Sequence, residues 1–583
     1  MRFLRYPLLT LSLSLFALLS STPTSAQERE VKLKIVETTD IHGNFYPYDF
    51  IKGEEAAGSL SRVASFVRQK REMYGDNLIL LDNGDILQGQ PTAYYYNYID
   101  TTSTHVAAEM LNYLQYDAGN LGNHDIETGR KVFERYVGQC EFPVLGANII
   151  DTSTGEPAFE PYAVFEREGV KIVVLGMITP AIPVWLSENL WQGLRFDDME
   201  ETARHWMPII REKENPDLIV GLFHSGTKAY KLGDYNENAS EDVAVRVPGF
   251  DIVMAGHDHA TANRWVENVD GDSVLVINPA NNGVAVANVD VSVYFDGDKV
   301  TGKRIRNFVS KTQRYGVDST FVEHFAPQRS VIEDFVQKKI GTFSETISTR
   351  DAYFGSSAFV DLIHTLQLEI SGAEISFAAP LSFDASIKEG DVHVSDMFSL
   401  YKYENMLYTM ALTGSEIKGF LEMSYELWTH TMTSADDHLL LLRETRQSGD
   451  SDRASFVNAA YNFDSAAGIV YTVDVTQPAG SKVNIISMAD GSAFDMDRTY
   501  RVAVNSYRGN GGGELLTKGA GIAAEELPSR ILTSTDKDLR FYLMQHIEQK
   551  QYIEPKALGQ WKFIPEDWAA QAGERDRKLL FKE

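Results

Sequence analysis

Five short polar clusters, each placed directly after an apolar run, constrain the fold of this chain more than any other feature. The runs are rich in leucine and β-branched residues, a composition typical of strands buried inside an α/β domain. In an open α/β sheet, ligands bind beyond the carboxyl ends of the strands. The pattern therefore predicts an α/β fold that gathers the five clusters into one cleft. The clusters are Asp40-Ile41-His42, Gly84-Asp85, Gly122-Asn123-His124-Asp125, His224 and Gly256-His257-Asp258-His259.

The residue types in these clusters favour a site for divalent metal ions. Imidazole, carboxylate and amide ligands suit zinc, manganese or iron, and they do not distinguish among the three. Cys140 is the only cysteine, so neither a thiolate metal site nor an intramolecular disulfide is expected. A carboxylate such as Asp85 has two oxygens and can bridge two ions. Since two ions about 3.5–4 Å apart can clamp a phosphoryl group and activate water, the sequence predicts hydrolysis of a phosphoester.

The length and the alternation of strand-like and helical patterns predict two large domains. A chain of 583 residues exceeds what one hydrophobic core normally supports. The alternation runs from Val31 to about Val289, and a helical segment with apolar periodicity follows Asp318. We expect a catalytic domain over residues 27–317, a helical linker over 318–342 and a second α/β (α+β) domain over 343–583.

The first 26 residues have the pattern of an export signal. Arg2 and Arg5 precede an apolar stretch from Leu8 to Leu19, and the small residues Thr24-Ser25-Ala26 follow. We expect cleavage after the last of these and a soluble product in the periplasm or otherwise outside the cytoplasm. No later stretch is apolar over the length that spans a membrane.

The net charge excludes one class of partner. At −28 the chain is strongly acidic, so a basic surface for binding polymers of DNA or RNA is not expected. A small anionic substrate is compatible with this charge if metal ions supply a local positive centre. The sequence does not predict the oligomeric state.

Longer motifs around the clusters resemble a known family. The clusters occur in the order of the signature of calcineurin-like metallophosphoesterases. Over nearly the whole mature chain, the sequence resembles the exported 5′-nucleotidase family, and within it the branch of periplasmic 2′,3′-cyclic-nucleotide 2′-phosphodiesterase/3′-nucleotidases. The resemblance implies a four-layer metallophosphoesterase sandwich followed by a nucleotide-recognition domain. The motifs that carry it are Glu37-Thr38-Thr39-Asp40, Asp82-Asn83-Gly84-Asp85, Gly119-Asn120-Leu121-Gly122-Asn123-His124, Tyr461-Asn462-Phe463-Asp464 and Asp474-Val475-Thr476-Gln477-Pro478-Ala479.

The resemblance also implies metal ligands and a catalytic histidine. His124 would stabilise charge on the phosphoryl oxygens or protonate the leaving oxygen. Glu127 or Asp125 would orient that histidine, and the sequence does not decide between them. One metal ion would be held by Asp40, His42, Asp85 and His259, and the other by Asp85, Asn123, His224 and His257.

The same resemblance implies where a nucleotide binds in the second domain. Tyr403 and Tyr507 match the two aromatic positions that hold a nucleobase, and stacking tolerates several bases because every base has a flat face. Asn405 is a candidate polar contact to the base or the sugar. Other aromatic residues nearby are interpreted as structural, namely Tyr401, Tyr408 and Tyr461.

One departure from the family pattern bears on the substrate. In dedicated 5′-nucleotidases the loop after the strand at Ile375–Ala378 has an arginine that binds phosphate, whereas here the loop reads Ala379-Pro380-Leu381-Ser382-Phe383. We therefore expect hydrolysis of 2′,3′-cyclic nucleotides and 3′-nucleotides, with rotation between the domains during turnover. Two alternatives stay open: a 5′-nucleotidase or UDP-sugar hydrolase, and a non-catalytic nucleotide-binding surface protein.

Overall fold

The structure is a computed structural model in which residues 28–443 and 454–582 are described. The export signal predicted over residues 1–26 lies outside these ranges. None of the helices within them has the length and apolar composition that a membrane-spanning segment needs.

The first domain is built on two six-stranded sheets. The four central strands of each sheet include the runs that precede the polar clusters, and most of their neighbours pair in parallel. In sheet order, the first sheet consists of Lys299–Lys311, Ala285–Asp296, Glu28–Thr38, Leu78–Asp82, Ala118–Asn120 and Val144–Leu145. The second consists of Thr261–Glu267, Ser273–Pro279, Ile252–Ala255, Leu218–His224, Val170–Ile178 and Tyr162–Arg167.

The two sheets pack face to face, and helices cover their outer faces. Every residue of the strands Leu78–Asp82 and Leu218–His224 is buried, as expected for parallel strands covered on both sides. Leu33 and Ile35 of the first sheet share one apolar cluster with Val220 of the second. This arrangement confirms the predicted four-layer sandwich. The apolar cluster over the first sheet includes residues of the helices Leu60–Tyr74, Tyr95–Ile99, Val106–Tyr113, Asn123–Glu127, Arg130–Gln139, Ile182–Trp185 and Glu188–Trp191. The cluster over the second sheet includes residues of Met199–Glu214 and Ser240–Arg246. The short helix Pro91–Tyr94 contributes Tyr94 to an apolar cluster of the second domain.

The predicted linker, residues 318–342, follows the two sheets of the first domain. These residues form two helices, Ser319–His324 and Ala326–Gln337, and the start of the strand Lys339–Phe343. Phe321 and Ile332 are buried in the core of the first domain, so the helices are docked onto that domain. The strand pairs with two strands of the second domain, which places the change of domain close to residue 338.

The second domain mixes antiparallel strands with helices, in agreement with the predicted α+β class. Its main sheet has the order Ser465–Ala467, Ile375–Ala378, Thr499–Asn505, Met406–Thr413 and Ile531–Asp538. One three-stranded sheet has the order Gly390–His393, Lys339–Phe343 and Tyr552–Ile553. A second has the order Val483–Met488, Ile469–Asp474 and Trp561–Ile564. The longer helices are Ala358–Ser371, Val394–Leu400, Gly414–Trp428, Leu539–Lys550 and Glu566–Phe581.

The helix Gly414–Trp428 illustrates how local sequence sets this fold. The Thr413 side chain accepts from the Glu416 amide, and the Glu416 carboxylate accepts from the Thr413 amide, which is a capping box. The helix then buries Phe420 against Phe377 of the main sheet, with the two rings stacked 4.0 Å apart. Capping thus fixes where the helix begins, and packing fixes which face it turns to the sheet.

Aromatic and polar contacts join the two domains beside the cleft. Tyr94 of the first domain packs against Phe398 of the second, with 5.4 Å between ring centroids. Tyr98 donates a hydrogen bond to the Glu404 carboxylate over 3.1 Å, and the buried guanidinium of Arg540 lies on the other side of that carboxylate. Glu404 directly follows Tyr403, so this contact holds the predicted base-binding loop against the first domain.

Arg508 fixes the glycine-rich loop of residues 509–513. Its guanidinium is buried and donates to the carbonyl oxygens of Gly512 and Tyr461 over 2.5 and 2.8 Å, and to the Asp464 carboxylate over 2.7 Å. A Cβ atom on Gly512 would lie 2.6 Å from the Tyr507 ring, so only glycine lets the loop pack so closely against that ring. The arginine of this motif is therefore a structural residue that positions Tyr507.

We predict that Arg508→Ala destabilises the second domain by about 3–5 kcal/mol, because it leaves the buried Asp464 carboxylate without its cation. Urea denaturation measures this free energy of unfolding. The exposed ion pair between Arg498 and Glu374 provides a matched control, and Arg498→Ala should cost less than about 1 kcal/mol. Equal effects of the two substitutions would contradict the structural role of Arg508.

Candidate active site

The five predicted clusters meet at one edge of the sandwich. Their carboxylate and imidazole groups form two sets, and within each set the candidate ligand atoms lie within 4.8 Å of one another. The Asn123 side-chain oxygen lies 2.7 Å from Nδ1 of His257 and so joins the second set. The sets are Asp40, His42 and His259, and Asp85, His224 and His257.

The backbone at this edge is unusual. Asp40, His42, Asp85, His257 and His259 have φ angles of 52°, 49°, 56°, 73° and 52°, in the left-handed region that side chains other than glycine rarely adopt. Such conformations cost of order 1–3 kcal/mol each and concentrate at functional sites. The strain turns each side chain from its strand end into the shared space.

Glycines make room for this arrangement. A Cβ atom on Gly122 would lie 2.1 Å from an oxygen of Asp85, and one on Gly256 would lie 2.2 Å from the Thr39 hydroxyl. The glycines that precede Asn123 and His257 are thus required by close packing of the loops.

Hydrogen bonds fix which nitrogen of each imidazole faces the site. Nδ1 of His42 and of His224 lie 3.2 and 2.6 Å from the carbonyl oxygens of Gln88 and Asn83, to which they donate. The Nε2 atoms are therefore free to act as ligands. Nε2 of His42 lies only 2.9 Å from Nε2 of His259, a spacing that suits two ligands of one ion.

The donor set fits a divalent cation. Asp40 Oδ1, Asp85 Oδ2 and His224 Nε2 are buried atoms without a hydrogen-bond partner. Leaving buried polar atoms unsatisfied costs about 1–3 kcal/mol each, and more when they are charged. Cations bound at the two sets would satisfy these atoms, Asp40 at the first set and Asp85 and His224 at the second.

Burial and neighbouring charges set the protonation of these groups. Burial acts to raise the pKa of Asp85, but the imidazoles of His224 and His124 outweigh it and hold that pKa well below its usual range. Burial lowers the pKa of His42 to about 4, so this imidazole is neutral, which is the form that binds metals. Burial also acts to raise the pKa of Asp40, but the imidazoles of His259 and His224 together outweigh it and lower that pKa.

His124 lies beside the two sets and has one carboxylate partner. Its Nδ1 lies 2.5 Å from an oxygen of Glu127, whereas the Asp125 carboxylate accepts from four backbone amides. Of the two candidates, Glu127 is therefore the one in contact with the His124 ring, whereas Asp125 bonds to the backbone of two loops. Burial lowers the pKa of His124, but the carboxylates of Asp85 and Glu127 raise it to about 9.

A cleft of about 600 Å³ runs from these residues to the second domain. His124 and His257 line one end, and Tyr403, Asn405 and Tyr507 line the other. Both tyrosine rings are half-buried, and among the ring contacts of the described residues none joins Tyr403 directly to Tyr507. All three predicted substrate residues therefore line the same cleft as His124 and as Asn123 and His257 of the second set.

The structure corrects the interpretation of one tyrosine. Tyr401 and Tyr408 are buried core residues, as predicted. Tyr461, predicted to be structural, is 39% exposed and lines the cleft, with its ring edge-on to Tyr507 at 6.3 Å. The reason is that its carbonyl oxygen, rather than its ring, makes the structural contact with Arg508.

Two further cleft residues were missed by the sequence analysis. Glu237 lies on a small hairpin and accepts from Nε2 of His257 over 3.1 Å. The Trp185 ring packs against the other side of His257 with 5.5 Å between centroids, and its carbonyl oxygen accepts from Asn510 of the second domain. Neither residue follows a strand-like run, so the pattern that revealed the ligands gave no signal for them.

Comparison with known proteins agrees with this architecture. Residues 33–261 match the calcineurin-like phosphoesterase family, and residues 339–518 match the 5′-nucleotidase C-terminal domain. The chain is 26% identical over 95% of its length to a 2′,3′-cyclic-nucleotide 2′-phosphodiesterase/3′-nucleotidase of Yersinia enterocolitica, of which it covers 91%. It is 27% identical over 97% of its length to the trifunctional nucleotide phosphoesterase protein YfkN of Bacillus subtilis, but spans only 41% of that protein.

A solved structure shares the fold of both domains. The putative 5′-nucleotidase of Staphylococcus aureus, solved in complex with alpha-ketoglutarate, superposes with a TM-score of 0.74 at 23% sequence identity. The match covers 91% of this chain and 99% of that one. The first domain thus matches the calcineurin-like phosphoesterases and the second matches the C-terminal domain of 5′-nucleotidases, which makes the chain a metal-dependent phosphoesterase.

Proposed function

We propose that the protein hydrolyses 2′,3′-cyclic nucleotides at the 2′ position and then acts as a 3′-nucleotidase. The observation that carries this proposal is one cleft lined at one end by His124 and by Asn123 and His257 of the second candidate metal-ligand set, and at the other end by the rings of Tyr403 and Tyr507. A nucleotide has both a phosphate and a base, so one molecule can place its phosphate at the metal-ligand end of the cleft and its base at the tyrosine end.

In this proposal two divalent ions, of zinc, manganese or iron, occupy the two sets. Bound there, they would polarise the phosphoryl group and activate water. Asp85 would bridge them, since its Oδ2 is free while its Oδ1 accepts from the His124 amide over 2.8 Å. The remaining ligands would be Asp40, His42 and His259 on one side and Asn123, His224 and His257 on the other.

His124 would supply the proton that the reaction needs. Glu127 stabilises the protonated imidazole through Nδ1, and no hydrogen bond among the described residues occupies its Nε2. Nε2 can therefore donate to a phosphoryl oxygen or to the leaving ribose oxygen. On a cyclic substrate, water adds to phosphorus and the bond to the 2′ oxygen breaks, leaving a 3′-phosphate. A second addition of water releases phosphate and the nucleoside.

The second domain would hold the nucleobase between Tyr403 and Tyr507. Tyr461 stands edge-on to Tyr507 and would support that ring from the side. Asn405 lies on the same wall and would contact the base or the sugar. Since stacking uses the flat face of a base, this arrangement predicts activity on several nucleobases.

The wall of the cleft favours the cyclic and 3′ substrates over 5′-nucleotides. Leu381, in the loop that carries the arginine of dedicated 5′-nucleotidases, lines the cleft. Within the described ranges the cleft lining includes neither lysine nor arginine. Relatives that bear the cyclic-phosphodiesterase name match 92–95% of this chain. The 5′-nucleotidase or nucleotide-sugar hydrolase activity remains the second candidate, since other relatives bear the name 5′-nucleotidase.

We also propose that the enzyme works outside the cytoplasm. The support is the pattern of Arg2, Arg5 and the apolar stretch Leu8 to Leu19, which lie outside the described residues.

Specificity constants for 2′,3′-cyclic AMP, 3′-AMP, 5′-AMP and a nucleotide sugar test the substrate assignment. We expect the specificity constants for 2′,3′-cyclic AMP and 3′-AMP to exceed that for 5′-AMP by about tenfold or more. The reason is that the missing charged contact to a 5′-phosphate is worth about 1.5–3 kcal/mol. Chelation should abolish all activity, and zinc, manganese or iron should restore it. Preference for 5′-AMP or the sugar would favour the second candidate. Fully metallated protein that hydrolysed none of the four would show the nucleotide-hydrolase proposal to be wrong.

Tyr403→Ala and Tyr507→Ala test the base-binding role. Each should lower kcat/KM for 3′-AMP by about tenfold or more, since stacking on a base is worth about 1–3 kcal/mol. Hydrolysis of bis(4-nitrophenyl) phosphate, which has no nucleobase, should change little. Tyr552→Ala, at a tyrosine that is 56% exposed and absent from the cleft lining, is the matched control. Equal losses on both substrates would rule out stacking.

A further inference from the structure

The hairpin formed by Tyr230–Leu232 and Tyr235–Asn238 reaches the metal-ligand sets from the side. Its second strand contains Glu237, whose side chain is 16% exposed and whose Oε1 lies 3.1 Å from Nε2 of His257. None of the sequence motifs includes this glutamate. Glu237 contacts His257, which is a predicted metal ligand, and it is not itself one of the predicted ligands.

His257 differs from the other three histidines in how it faces the site. His42 and His224 present Nε2 and donate from Nδ1 to main-chain carbonyl oxygens. His259 also presents Nε2, which lies 3.2 Å from Asp40, and its Nδ1 lies 3.1 Å from the Asn281 amide. His257 presents Nδ1 toward Asn123 and gives Nε2 to Glu237. Among the four, it alone has a carboxylate as its outer partner.

The hairpin is tied to the loop that follows His224. The Ser225 hydroxyl donates to the Glu237 carbonyl oxygen over 2.7 Å, and the Gly226 amide donates to the Asn238 side chain over 3.1 Å. A Cβ atom on Gly226 would lie 2.5 Å from that asparagine side chain, so the two loops are in close contact. One element thus relates the positions of His224 and His257, the two histidines of the second set.

We propose that Glu237 is a positioning residue for the second metal ion. It accepts the proton on Nε2 of His257, which fixes the tautomer in which Nδ1 is the ligand, and it holds the ring in place. Trp185 packs against the same ring and leaves little freedom for it to turn. A carboxylate in this role strengthens the histidine as a ligand. The inference rests on the proposed metal assignment, and it applies to the ion at Asp85, Asn123, His224 and His257 only.

Metal binding by the full-length protein tests this directly. Wild type dialysed against a graded zinc–chelator buffer and assayed by atomic emission should retain two ions per chain. Glu237→Ala should bind one ion normally and the other about 10–100-fold more weakly, the usual effect of removing such a partner. Glu237→Gln keeps an acceptor oxygen without the charge, so it should restore part of that affinity.

The control variant is Glu514→Gln. Glu514 lines the same cleft but pairs with Lys518 and contacts none of the predicted ligands, so both ions should bind as in wild type. Equal metal affinity of Glu237→Ala and wild type, or a parallel loss of both ions, would overturn the proposal for Glu237. A wild-type chain that binds no ion would instead overturn the proposed metal centre. The melting temperatures of the metal-free variants, expected to match that of metal-free wild type, separate loss of a ligand contact from misfolding.

Discussion

The structure depends on holding several ionisable groups together where water is excluded. Asp40, Asp85 and His224 are almost completely buried, and each leaves a polar atom without a partner. Burying such groups costs several kcal/mol per charge, so nothing in folding itself favours the arrangement. Packing between the apolar faces of the two large sheets offsets this cost. Glycines allow the five loops to approach one another closely. The sandwich is the scaffold that makes an otherwise unstable cluster possible.

The two domains divide the work according to chemistry. Bond breaking needs fixed geometry, and the groups for it project from strand ends of the first domain, the most rigid positions available. Recognition of a base needs flat surfaces, and these come from loops of the second domain that buried ion pairs hold in place, Arg508 with Asp464 and Arg540 with Glu404. Phosphate chemistry is the same for every nucleotide, so in the proposed function this separation would allow several bases to be accepted.

The sequence reveals the part of the site that follows local rules. Each predicted ligand stands directly after a strand-like run, and strand ends converge in an α/β domain, so contiguous motifs were sufficient for Asp85, His224 and His257. Glu237 and Tyr461 obey no such rule, because a hairpin and the backbone contacts of a neighbouring arginine bring them to the cleft. The choice between Glu127 and Asp125 also required coordinates, since both are close to His124 in the chain and only hydrogen bonds separate their roles.

The charge of the cleft links metal binding to substrate binding. Glu127, Glu237 and Glu514 line it, and its described wall offers no lysine or arginine to balance them. In a chain of net charge −28, a phosphate would meet a repulsive field over the whole approach. The cations at the strand ends are then the main source of attraction as well as of reactivity. A substrate with one phosphate can place it there, whereas a second phosphate would have to lie against carboxylates. In the proposed function, the acidic wall would therefore favour nucleotides with a single phosphate.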